Sequence, residues 1–286
     1  MLKYFSVFII VFFASITASP AFADDGVIGT ILEVEGSATV MPSGGSPSAA
    51  AVNTTVHLND TVQTDTASRV FILFIDNTQL TLSEDTRVKI DNYIFDPDDN
   101  RGNKASYSVL QGAFQYVSGL IGKKENPDVH IDTPVGSIGI RGTDFWGGNL
   151  DNQYSVAVND GQVALKTDAG EEVVNKGQGT SVKDRHSIPE HAHVWPREKF
   201  QRISNTVHLK RQGLVRQKIK AMQGHQRIMQ RRYKNYVARH GSPHQRRGGN
   251  LHNQQQKHTS WHKQHGKRQQ HRRTRQNKHR QDKKRK

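Results

Sequence analysis

The chain has 286 residues, is 34% hydrophobic and carries 41 Lys/Arg against 26 Asp/Glu, a formal +15 at neutral pH. It has no cysteine, which excludes disulfides and thiolate metal sites. Residues 24–185 hold 12 Lys/Arg against 23 Asp/Glu (about −11), while residues 186–286 hold 28 against 3 (about +25), so an acidic folded part with a basic appendage is expected.

Taken from the N-terminus, Lys3 precedes an apolar run from Tyr4 to Ile16, and Ala21-Phe22-Ala23 fits a small-x-small cleavage pattern. The run is shorter than the roughly 20 residues a spanning helix needs. Residues 1–23 are therefore expected to be a signal peptide cleaved between Ala23 and Asp24. The mature chain is then periplasmic or secreted, soluble or peripherally bound.

From Val27 to Val182 short apolar runs alternate with turn residues. Arg69–Ile75 is strongly β-forming, and Asp76-Asn77 turns into Leu80 and Leu82. Val88 and Ile90 follow, then one run from Tyr107 to Val117, then Val129–Ile131 and Ser137–Ile140. Tyr154–Val158 and Gln162–Leu165 flank Asn159-Asp160-Gly161, whose Asp-Gly pair reads as a hairpin turn. Asp168-Ala169-Gly170 turns into Val173-Val174. The pattern predicts an all-β domain over 24–185, and both a sandwich and a solenoid satisfy it.

The segment 186–240 is basic. Val215, Met222, Met229 and Tyr236 fall seven apart with Ile219 and Tyr233 between, and Phe200, Ile203 and Val207 begin a similar stripe. An amphipathic helix is expected, used for packing on the β-domain, for self-association or for lying on an anionic membrane surface. Residues 241–286 are Arg, Lys, His, Gln and Asn with little apolar content, so a disordered tail is expected. Its cations, Arg246, Arg247, Lys267, Arg268, Arg272, Arg273, Arg275, Lys283, Lys284, Arg285 and Lys286, together with Arg231 and Arg232 ahead of it, suit polyanions. Lipopolysaccharide, acidic polysaccharide, extracellular nucleic acid or an acidic protein face are the candidate partners. Trp261 could stack on a base. The many histidines are irregularly spaced and lack carboxylate support, so no metal site or cofactor is expected.

Within the β-domain, Arg141 and Asp144 are flanked by Gly139 and Gly142, which suggests a tight turn bridged by that pair. Phe145 and Trp146 read equally as core or as a partner anchor. Asp96-Pro97-Asp98-Asp99-Asn100 reads as a solvated turn, since the calcium loop pattern is absent. No Ser–His–Asp set or paired-carboxylate spacing points to catalysis.

Several runs resemble the FecR-type domain. They are Leu58–Thr64, Arg69–Phe74, Asp76–Leu82, the sharpest run Thr133-Pro134-Val135-Gly136-Ser137-Ile138-Gly139-Ile140-Arg141-Gly142-Thr143-Asp144-Phe145, and then Tyr154–Val158, Asp160–Val163 and Lys176–Gln178. The resemblance covers about 55–180. It implies a β-solenoid-like periplasmic module for protein contacts and signalling, without catalysis, and makes Arg141, Gly142, Thr143, Asp144, Phe145 and Trp146 candidate partner contacts. Regulators of that family carry a cytoplasmic segment and a spanning helix ahead of the module. With Asp24 as the expected mature start, neither is expected here. The expectation is thus an exported, non-enzymatic interaction protein of the cell envelope. The alternatives are a secreted nucleic-acid or polyanion binder acting through its tail, and a polysaccharide-active enzyme on a β-solenoid.

Overall fold

The computed structural model describes residues 26–99 and 101–240. Asn59, Asn77 and Asp85, with Gly36 and Gly112, take the positive φ that tight reversals demand, and they cut the chain into short strands. These are β1 (Val27–Glu35), β2 (Ala38–Met41), β3 (Ser48–Ala49), β4 (Thr55–His57), β5 (Thr61–Thr64), β6 (Arg69–Phe74), β7 (Gln79–Leu82) and β8 (Arg87–Ile94). They continue as β9 (Lys104–Gln111), β10 (Phe114–Val117), β11 (Asp128–Thr133), β12 (Gly136–Leu150), β13 (Gln153–Lys166), β14 (Glu171–Asn175), β15 (Gln178–Val182) and β16 (His193–Val194). Two helices close the described chain, α1 (Arg197–Val207) and α2 (Gln212–His240).

All strands join one sheet in the order β3-β2-β5-β8-β9-β11-β12-β10-β7-β6-β1-β4, with β13 beside β12 and carrying β14 and β15, and β16 beside β15. The fold is mostly β, as expected. Its ladders are antiparallel except for β9 with β11, so among the described residues the strands do not stack as the parallel coils of a solenoid. Instead one sheet curls into a half-barrel whose two halves face each other. One half holds β2, β3, β5, β8, β9 and β11, the other β1, β4, β6, β7 and β10. Strand β12 serves both, pairing with β11 through Gly136–Gly139 and with β10 through Asp144–Gly147.

The core lies between the halves. Alternation places Phe114 and Tyr116 of β10 inward and Gln115 and Val117 outward. Phe74 of β6 stacks on Tyr93 of β8 at 5.7 Å and meets Tyr107 of β9 edge-on at 5.4 Å, so each aromatic contact bridges the two halves. Burying a side chain of this size contributes about 1.5–3 kcal/mol.

Two expectations are corrected. The run from Tyr107 to Val117 is broken at Gly112, because β9 and β10 belong to opposite halves and the chain must cross between them. Asp160-Gly161 is not the hairpin turn, since β13 continues through it and only bends at Gly161. The reversal is Asp151-Asn152, with φ of 54° and 65°, the two positive values that a tight two-residue hairpin needs.

The helices lie mainly on the half with β1, β6, β7 and β10, and the C-terminal end of α2 reaches across to β8 of the other half. Ile203 and Val207 of α1 pack with Trp146, Ala157 and Trp195. Val215, Ile219 and Met222 of α2 cover Leu32, Phe71 and Leu73, while Met229, Tyr233 and Val237 join the main core. Of the three uses expected for this amphipathic segment, packing on its own β-domain is the one seen.

Candidate functional site

Strand β12 must bend to pass from one half to the other, and the bend falls in the glycine-flanked motif. The register of β12 against β13 shifts between Arg141 and Phe145, where Gly142 (φ +58°) lies near Gly161 (φ +78°). A Cβ on Gly161 would collide with the carbonyl oxygen of Gly142. The Gly142 amide donates to Gly122 O at 2.9 Å. Ser118 clasps Thr143 twice, its amide donating to the Thr143 carbonyl at 2.8 Å and its Oγ accepting the Thr143 amide at 2.9 Å. The motif is therefore a bent strand and not a loop tip.

The bend sends the five side chains of the motif, Gly142 having none, in different directions. Arg141 is exposed, and its guanidinium makes no hydrogen bond or ion pair among the described residues. Thr143 is buried. Asp144 does not bridge to Arg141; its Oδ1 accepts from Gln115 Nε2 at 2.7 Å and Asn159 Nδ2 at 3.2 Å. Phe145 enters the core against Phe114 and Tyr116. Trp146 faces outward but is covered by α1, and its indole N–H donates to Thr206 Oγ1 at 2.9 Å. Phe145 is thus core, and Trp146 anchors the chain's own helix.

A network that the pattern did not reveal holds α2. Glu33, 1% exposed at the bulge of β1, takes Lys218 Nζ at 2.8 Å and lies 3.5 Å from Arg211 Nε. Lys218 also donates to Leu32 O. The Tyr233 hydroxyl donates to Tyr93 O at 2.6 Å, and Gln226 and Gln230 donate to the carbonyls of Phe74 and Ile75. Lys234 pairs with Asp96 and Asp98, so the acidic loop tethers the helix. Arg69 donates to the carbonyls of Thr206 and Asn205, groups that a helix end leaves without partners. Arg231 and Arg232 lie exposed on α2. The cleavage site Ala23/Asp24 and the tail cations from Arg246 to Lys286 lie outside the described residues.

Asp76, read from sequence as a turn residue, is also a buried tie. Its Oδ1 accepts from the Thr78 amide at 3.0 Å and the Tyr93 hydroxyl at 2.9 Å, and its Oδ2 from Thr78 Oγ1 at 2.9 Å and the Ile121 amide at 3.1 Å. Burial pushes its carboxyl above the ordinary 3.8, against the pull of these donors. The Asp-x-Thr spacing was the available signal for this local cap. Nothing local marks Glu33 as the partner of a lysine 185 residues away.

Residues 60–164, from the turn before β5 to the middle of β13, match the family model described as FecR protein. The chain carries a FecR domain. The matched span contains both sides of the bend, whereas β1–β4 and both helices lie outside it. No curated protein matches the chain. Two crystal structures of a candidate anti-sigma factor from Parabacteroides distasonis ATCC 8503 are similar at 12% identity and a TM-score of 0.40. The match covers 49% of this chain and 62% of that one.

Proposed function

We propose that the chain is an exported, non-enzymatic interaction protein of the cell envelope, a FecR domain with a cationic C-terminal arm that holds it to an anionic surface such as lipopolysaccharide or acidic polysaccharide. One observation carries this reading. Helix α2 spends its apolar face on the chain's own sheet, which leaves Arg216, Lys220, Arg227, Arg231 and Arg232 exposed. The same charge continues through residues 241–286, with 15 Lys/Arg against one Asp. No helix among the described residues is long and apolar enough to cross a membrane. A FecR domain fits a regulatory or signalling use through protein contacts, and the outer face of β2, β3, β5, β9 and β11, away from the helices, is the face left for them.

The test compares the full chain with one ending at His240, which keeps α2. Binding to lipopolysaccharide, acidic vesicles and DNA is measured at low and physiological salt. Binding by the arm is expected to weaken on truncation and to fall steeply with salt. Equal binding by both chains would refute the arm. A preference for DNA over lipopolysaccharide at equal salt would favour the nucleic-acid reading instead.

A further inference from the structure

We infer that the cleft between the two helices and the outer face of the sheet binds a short acidic glycan, with Asp144 reading its hydroxyls. The cleft has two lobes. One, about 270 Å³, is walled by Trp146, Asn159, Arg197 and Phe200. The other, about 330 Å³, is walled by Phe71, Gln79, Asp144, Gln212 and Arg216. Gln115 and Val207 line both, so the lobes adjoin, and each lies near the lower end of the roughly 300–1,000 Å³ typical of ligand pockets.

The chemistry of the walls selects the ligand. Both amides that hold Asp144 reach its Oδ1, which leaves Oδ2 without a donor among the described residues. A carboxylate fixed in this way is a ready acceptor for hydroxyl groups. Side-chain amides recur along the cleft and offer donors and acceptors together. Phe200, which is only partly buried, supplies an apolar strip for the C–H face of a sugar ring. The guanidinium groups of Arg197 in one lobe and Arg216 in the other make no hydrogen bond or ion pair among the described residues, so each lobe offers an uncommitted cation to an acidic substituent.

Two alternatives fit less well. An extended peptide would need a free strand edge, yet β7, β10 and β12 beneath the cleft are paired on both sides. Glycoside hydrolysis uses two carboxyl groups about 5–9.5 Å apart, and Asp144 is the one carboxylate in the walls of either lobe.

The experiment titrates the full chain with a uronic-acid disaccharide, the neutral hexose disaccharide and a tetra-aspartate peptide, following tryptophan fluorescence and heat. The uronic-acid sugar is expected to bind more tightly than the other two. Asp144→Asn should weaken it at least tenfold, although it removes a repelling negative charge. Any binding by the cationic arm would hold or strengthen with that variant, which separates this site from the arm. Arg216→Gln, an exposed change that does not threaten folding, should abolish the preference for the acidic over the neutral sugar, while Arg231→Gln on the exposed helix face should change nothing. Undiminished binding by Asp144→Asn, an unchanged preference in Arg216→Gln, or equal competition by the peptide would each overturn the inference.

Discussion

Gly161 and Gly177 sit at nearly the same φ, +78° and +77°, yet a methyl on the first would meet the Gly142 carbonyl and a methyl on the second would meet nothing. The pair therefore separates two costs. Gly177→Ala carries backbone strain alone, about 1 kcal/mol. Gly161→Ala adds a collision at the bend of β12 and β13 and is expected to cost about 2–4 kcal/mol. Equal losses in urea unfolding would show that the bend does not need close backbone approach. Asp76→Asn belongs to the same scale. It sets an amide N–H2 against donors already aimed at that position, and should cost about 1–3 kcal/mol by the same measurement. The motif Gly139-Ile140-Arg141-Gly142 was legible as a special place, but its glycines suit a turn and a bulge alike. Which of the two it is depends on β10 and β11, which claim different parts of β12.

Helix α2 was legible from its heptad spacing, and so was the face it buries. Its docking partner was not, because Glu33 and Lys218 meet only through the curl of the sheet. Lys218→Ala leaves Glu33 buried with only the longer Arg211 contact, and is expected to cost about 3 kcal/mol. Replacing the pair with Glu33→Leu and Lys218→Met together should be close to neutral in chemical denaturation. Helix α1 has an acid-sensitive tether. The Arg202 guanidinium, hydrogen-bonded to both oxygens of Asp151, holds that carboxyl below its ordinary 3.8. A lowered folded-state value stabilises above pH 3.8, and the benefit is lost as the pH falls through the lower value. The pair is exposed, so the effect is small and local. Trp146 and Trp195 lie under α1 and should show it as a step in emission as the pH is lowered below 3.8. A step of the same size in Asp151→Asn would rule out this tether.

For the whole molecule, the short β pattern and the acidic-then-basic charge were enough to predict a β-domain followed by a basic helix. The two-halved curl was not legible, because strand alternation reports which residues face inward and not which strand faces which across the core. The expected boundary at 185 also divides what the structure joins. A chain ending at residue 185 would bare Leu32, Phe71, Leu73 and Trp146, and should self-associate in light scattering. A chain ending at His240 should remain monodisperse to the same degree as the full chain. Finally, the ring of Tyr236 packs so closely on Gly26 that a methyl there would lie 2.8 Å from it. The beginning and the end of the described chain thus share one pole. A force that draws these two ends apart would therefore meet the Gly26–Tyr236 contact first and then the ladders of β1 with β4 and β6, so that pole is the latch through which the molecule would be opened.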